Sequence, residues 1–91
     1  NTKVIGIVDE LEDFGCKVDI YDPWASAAVV KHEYGKDLLA EIDPHKEYQA
    51  VIACVSHNQF KTFDFKKYKD QGAVIFDVKD FVDRSVVDGR L

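Results

Sequence analysis

Cys16 to Trp24 reads CKVDIYDPW, and this stretch decides the fold class. From Lys17 to Tyr21 polar residues alternate with the β-branched Val18 and Ile20, the period of a strand. Asp22-Pro23 then stops the run with a turn signal at the strand's carboxyl end. Open α/β sheets place their ligands at that end of their strands. Upstream, the chain opens on a helical pattern, with no strand and phosphate-facing turn to feed it. The expectation is an α/β sheet that lacks its first strand.

The elements on either side support that class. Val4, Ile5, Val8 and Leu11 recur at one-and-four spacing, with Thr2 placed to cap the helix and Gly15 to close it. Asp9, Glu10, Glu12 and Asp13 crowd its later turns, where the helix dipole disfavours anions, so this helix depends on tertiary packing. Ser26 to Tyr34 reads as a short helix ended by Gly35. Leu38, Leu39 and Ile42 fit a short edge strand or a helical turn equally, and Asp43-Pro44 marks a turn or a helix start.

Ala50 to Val55 is a continuous run of apolar residues, the pattern of a strand covered on both faces and a candidate for the centre of a sheet. Asn58 to Lys69 is helical in part, with Asp64 able to cap a final helix and Gly72 to end it. Ala73 to Phe76 gives a second buried strand ending in Asp77, and the remainder is irregular or a last short pairing. Strands alternating with helices predict a parallel sheet with right-handed crossovers.

The 91 residues, 46% hydrophobic and 32% charged, describe one small domain over residues 1–91. A formal charge of −5 argues against a nucleic-acid or anionic-membrane partner, since both need clustered Lys and Arg. Apolar runs are too short to span a bilayer and no signal peptide opens the chain, so a cytoplasmic location is expected. Two cysteines are too few for a disulfide framework, and Cys54, set among Ile52, Ala53 and Val55, reads as a packing thiol. His32, His45 and His57 show no ligand spacing, which predicts no metal site. The run Lys66, Lys67 and Lys69 reads as a wet helix face.

Three segments together carry a resemblance: NTKVIGIVDELEDFGCKVDIYDPW at Asn1 to Trp24, AVIACVSHNQF at Ala50 to Phe60, and AVIFDVKDFVDRSVVDGRL at Ala73 to Leu91. In that order the chain resembles the C-terminal, UDP-binding domain of the UDP-glucose/GDP-mannose dehydrogenase family, with a Rossmann-like sheet and flanking helices. Within it, the chain is most similar to the bacterial UDP-N-acetylhexosamine dehydrogenases of capsule and O-antigen synthesis. The resemblance implies part of an enzyme that oxidises the C6 hydroxyl of a UDP-sugar to a carboxylate in two NAD-dependent hydride transfers through a cysteine thioester. NAD and that cysteine belong to other domains of such enzymes. No G-x-G-x-x-G fingerprint occurs here and neither cysteine has a glycine-rich setting, so the isolated chain is expected to be inactive and to hold no cofactor.

The resemblance also implies a site. Lys79 matches the basic position after the last strand that in the family lies near the nucleotide, where an ammonium offsets phosphate charge; a solvated loop lysine is the plainer reading. Asp22 stands where a Rossmann-type acid meets a ribose hydroxyl, or else its carboxylate simply bonds a backbone amide in a turn. His57 ends a strand without a nucleophile beside it and reads as structural, which leaves no catalytic residue. If the family's strand order holds, the lost first strand leaves two strands with unpaired edges. Gap closure, strand exchange or a homo-oligomer is therefore expected. Two further readings stand beside this one: a receiver-like phosphoacceptor domain, since Asp22 and Asp77 both end strands, and an assembly piece without a ligand.

Overall fold

The computed structural model describes residues 2–56 and 58–90, apart from the side chains of Thr2 and Gln59. The chain divides into two compact units that meet in sequence at Pro44 and His45.

In the first unit, helix α1 (Thr2–Asp13) buries Val8, with Val4, Ile5 and Leu11 half-buried on the same stripe and Asp9, Glu10, Glu12 and Asp13 exposed. Gly15, at φ 89°, ends it in the left-handed conformation expected of it. The Gly15 and Cys16 N–H groups return to the carbonyls of Glu12 and Leu11 at 2.9 and 3.0 Å, the paired closure that satisfies the last free carbonyls of a helix. The cap expected from Thr2 falls on a side chain outside the described residues. Lys36 answers the surplus of anions near the end of α1. Its ammonium lies 2.7 Å from Asp9 Oδ1 and bridges to Glu12, and these two carboxylates raise its pKa.

Helix α2 (Ala27–Tyr34) begins at Ser26, whose hydroxyl accepts from the Val29 N–H, and ends at Gly35 with φ 68°. The strand expected at Lys17 to Tyr21 is reduced to one parallel bridge, Ile20 to Leu38, with the Leu39 N–H donating to the Ile20 carbonyl at 2.8 Å. This favours an extended conformation at Leu38 over a helical turn. Of residues 17–21, Ile20 alone forms a bridge. A strand needs a ladder, and periodicity does not supply the partner.

The second unit is a parallel sheet in the order β1 (Ala50–Ala53), β2 (Val74–Asp77), β3 (Gly89–Arg90). Ala50 faces Val74 and Ala53 faces Asp77, while Phe76 and Asp77 face Gly89 and Arg90. The centre is thus β2, whereas β1, the candidate central strand, is an edge of this sheet. Between them lie helices α3 (Asn58–Lys61) and α4 (Phe65–Asp70), the latter capped by Asp64, which accepts from the Lys67 N–H at 3.1 Å. β1 and β2, joined in parallel through α3 and α4 with α4 packed on β2, give the α/β, Rossmann-like class, while β3 is reached through the helix-free segment 78–88.

Alternation along the strands sets the core. Val51, Ala53, Ile75 and Asp77 share one face, where Ile75 is fully buried against Phe65, Tyr68, Val82 and Val86. Phe63 stacks on Tyr68 with ring centroids 5.6 Å apart and meets Phe65 edge-on at 4.7 Å. The other face is less covered than the sequence pattern implied, since Val74 is 54% exposed. Among the described residues no helix is long and apolar enough to cross a membrane.

Asp88 immediately precedes the last strand. Its Oδ2 accepts the Ile75 N–H at 2.8 Å, its own N–H returns to the Ile75 carbonyl at 2.8 Å, and Lys69 reaches its Oδ1 at 2.9 Å. Lys69 is therefore tied to the strand rather than left on a wet face. The Ile75 N–H foremost, then Lys69, hold the Asp88 carboxyl below its usual pKa. A depressed folded-state pKa stabilises above the unfolded value and loses that effect as pH falls through the folded one. The stability of wild-type protein, measured by urea denaturation, is therefore expected to fall below about pH 4, and part of that slope disappears in Asp88→Asn. Ile75→Ala, which empties the best buried site, is expected to lower unfolding free energy by about 2–5 kcal/mol in the same assay at neutral pH.

Candidate functional site

The carboxyl ends of β1 and β2 are built around a carboxylate. Asp77, the last residue of β2, is fully buried. Its Oδ1 accepts the N–H groups of Lys79 and Asp80, both at 3.0 Å, and its Oδ2 those of Phe81 and Val82, both at 2.7 Å. A carboxylate offers about four acceptor positions, so this one is saturated. Burying an ion is expensive unless it is fully paired, and four charge-assisted bonds to fixed amides meet that demand. They also dictate the backbone. Residues 78–82 wrap round the carboxylate, and Asp80 is forced to φ 59°, a left-handed conformation uncommon outside glycine that Asp tolerates better than most residues.

Other contacts fasten this loop to the sheet. The Val78 N–H donates to the Ala53 carbonyl at 2.9 Å, prolonging the pairing of β1 with β2. Arg90, on β3, forms an ion pair with Asp80 and donates to the Val82 carbonyl at 3.0 Å. Val82 and Val86 turn inward to the core, and Asp83 holds the turn between them by accepting the Ser85 N–H and hydroxyl, which keep its carboxyl pKa low. Gly89 lets β3 pass close to Phe76, where a Cβ would sit 3.0 Å from the ring.

Lys79 is exposed on this loop, its N–H given to Asp77 and its ammonium without an ion-pair partner among the described residues. Asp22 belongs to the first unit, where its Oδ1 accepts the Trp24 N–H at 2.9 Å, the turn-forming bond of the plainer reading. The two sequence-derived site residues thus fall in separate units. His57 lies outside the described residues. Among those described, no group of three His, Cys, Asp or Glu side chains could hold a metal ion.

The first unit also has a groove of about 320 Å³ lined by Val8, Val18, Ile20, Leu38 and Lys36. The charge of Lys36 is already answered by Asp9 and Glu12, so the groove offers little to an anion. Asp77, which the sequence marks only as a strand end, proves to be the organising residue. Its saturated and buried oxygens are unsuited to accept a phosphoryl group, which weighs against the receiver-like reading.

A parallel α/β sheet whose strand carboxyl ends carry the loop 78–82, with Lys79 exposed on it, is the arrangement of a Rossmann-like domain. The chain belongs to the UDP-glucose/GDP-mannose dehydrogenase family, UDP binding domain, whose family model matches residues 1–84. It is 37% identical over 94 residues to a UDP-N-acetyl-D-glucosamine 6-dehydrogenase of Salmonella typhi and 36% identical to one of Pseudomonas aeruginosa, covering 100% of this chain and 22% of each relative. Protein CapL of Staphylococcus aureus is 32% identical over 85 residues, 90% of this chain and 20% of that relative. The chain therefore spans about a fifth of the length of the curated relatives it matches. No solved structure is a significant match.

Cys54 follows β1 directly, half-buried, and burial pushes its thiol pKa up, while Cys16 is exposed. Since the thiolate is the reactive form, iodoacetamide at pH 8 is expected to label Cys16 well before Cys54, as read by mass spectrometry of time points. Faster labelling of Cys54 would contradict this arrangement.

Proposed function

We propose that residues 1–91 act as the nucleotide-sugar-binding domain of an NAD-dependent UDP-sugar 6-dehydrogenase, an enzyme that oxidises a C6 hydroxyl to a carboxylate for polysaccharide precursors such as those of capsule. The observation that carries this reading is the match of the UDP binding domain family over residues 1–84. The relatives named UDP-N-acetyl-D-glucosamine 6-dehydrogenase favour a UDP-N-acetylhexosamine as the substrate.

In this reading the Lys79 ammonium approaches the diphosphate and offsets its charge, held on a loop whose backbone is set before the ligand arrives. Within the first unit, taken by itself, Asp22 is the candidate for a ribose hydroxyl, with its Oδ1 already accepting the Trp24 N–H. No stretch of the chain fits NAD, since the Gly-rich turn that admits a pyrophosphate is absent from the sequence. Hydride transfer and the thioester are therefore assigned to parts of the relatives that this chain does not cover, and the chain by itself oxidises nothing. A cytoplasmic, homo-oligomeric enzyme completes the reading.

Calorimetric titration of UDP into the chain, with GDP alongside, tests it. Saturable UDP binding, tighter than GDP and weakened roughly tenfold or more by Lys79→Ala, is expected from loss of a charge-assisted contact. Absence of UDP binding by the wild-type chain would count against the proposal.

A further inference from the structure

We propose that Asp77 is a positioning residue for nucleotide binding, its buried carboxylate pre-setting residues 78–82 so that recognition of the diphosphate falls to the Lys79 side chain and not to the loop's backbone amides. This rests on the reading of the chain as a UDP-binding domain and deepens it.

Successive backbone N–H groups converging from a tight loop commonly form a nest for phosphate. Here the nest exists and is already filled from within, as all four N–H groups from Lys79 to Val82 point at the Asp77 oxygens between 2.7 and 3.0 Å. An incoming diphosphate therefore meets no free amide on this stretch, and like charge beneath the loop discourages insertion. The other cation fastened to the loop is committed as well, since Arg90 is bound to Asp80 and to the Val82 carbonyl. Lys79 differs from both. Its amide is an anchor, its side chain is exposed, and its ammonium has no ion-pair partner among the described residues.

The conformation is also one that the loop would not hold unaided. The φ of 59° at Asp80 is sparsely populated for a side chain with a Cβ and persists because the flanking amides are fixed on the carboxylate and the Asp80 side chain on Arg90. A loop ordered in advance spares the ligand the entropy of ordering it, so the value of Asp77 appears in affinity although it does not touch the ligand.

The test is a double-mutant cycle with UDP as the probe, using calorimetry on the wild-type chain, Lys79→Ala, Asp77→Asn and the double variant, with circular dichroism reporting the fold. Asn at 77 keeps one acceptor oxygen and presents an amide to the remaining donors. Lys79→Ala and Asp77→Asn are each expected to weaken UDP binding roughly tenfold, and the double variant to bind no more weakly than Lys79→Ala alone. A folded Asp77→Asn chain with wild-type affinity, or losses that simply add, would overturn the proposal. Should Asp77→Asn fail to fold, Asp80→Pro takes its place, because it deletes one of the four donors and forbids φ of 59°. Weakened UDP binding is expected there too, and unchanged affinity would be equally fatal. A wild-type chain that does not bind UDP removes the underlying reading, whereas wild-type binding with an unaffected Asp77→Asn removes this inference alone.

Discussion

The buried Asp77 carboxylate is the constraint on which the second unit turns. A charge placed at the end of the central strand has to be matched by donors, and the four amides from Lys79 to Val82 supply them. Once they close on it, Phe81 and Val82 are delivered to the core beside Phe65 and Ile75, and the chain is aimed back to lay Gly89-Arg90 against β2. The same closure lifts Lys79 outward. The packing of Val82 and the path of the loop are therefore consequences of one set of hydrogen bonds.

Asp88 works with it from the other end of the excursion. By accepting the Ile75 N–H through its side chain it supplies a ladder bond before the backbone of β3 begins, and Lys69 ties the end of α4 to the same carboxylate. A two-residue strand would be too short to fix its own register, so flanking side chains fix it. The first unit relies on the same device at its surface, where Lys36 gathers the acids that α1 places against its own dipole. In both units an ionic contact between residues distant in sequence corrects a local weakness.

Membership in the UDP binding domain family gives this architecture its meaning. Open α/β sheets place ligands at strand ends, and the strand ends of the second unit carry the loop 78–82 fastened to Asp77.

The amino-acid sequence determined the elements that local stereochemistry controls. Gly15 and Gly35 end helices in the left-handed conformation, Ser26 and Asp64 cap the helices that follow them, and the apolar run at 73–76 forms a strand, because each signal acts within a few residues. It also carried the family resemblance. Tertiary structure decided what depends on partners. The alternation at 17–21 yields a single bridge, and the apolar run at 50–55 becomes an edge rather than a centre, because strand pairing is settled by which backbone lies alongside. The role of Asp77 was equally hidden. An aspartate after an apolar run looks like any turn, and only the folded chain shows whether its oxygens face water or four converging amides.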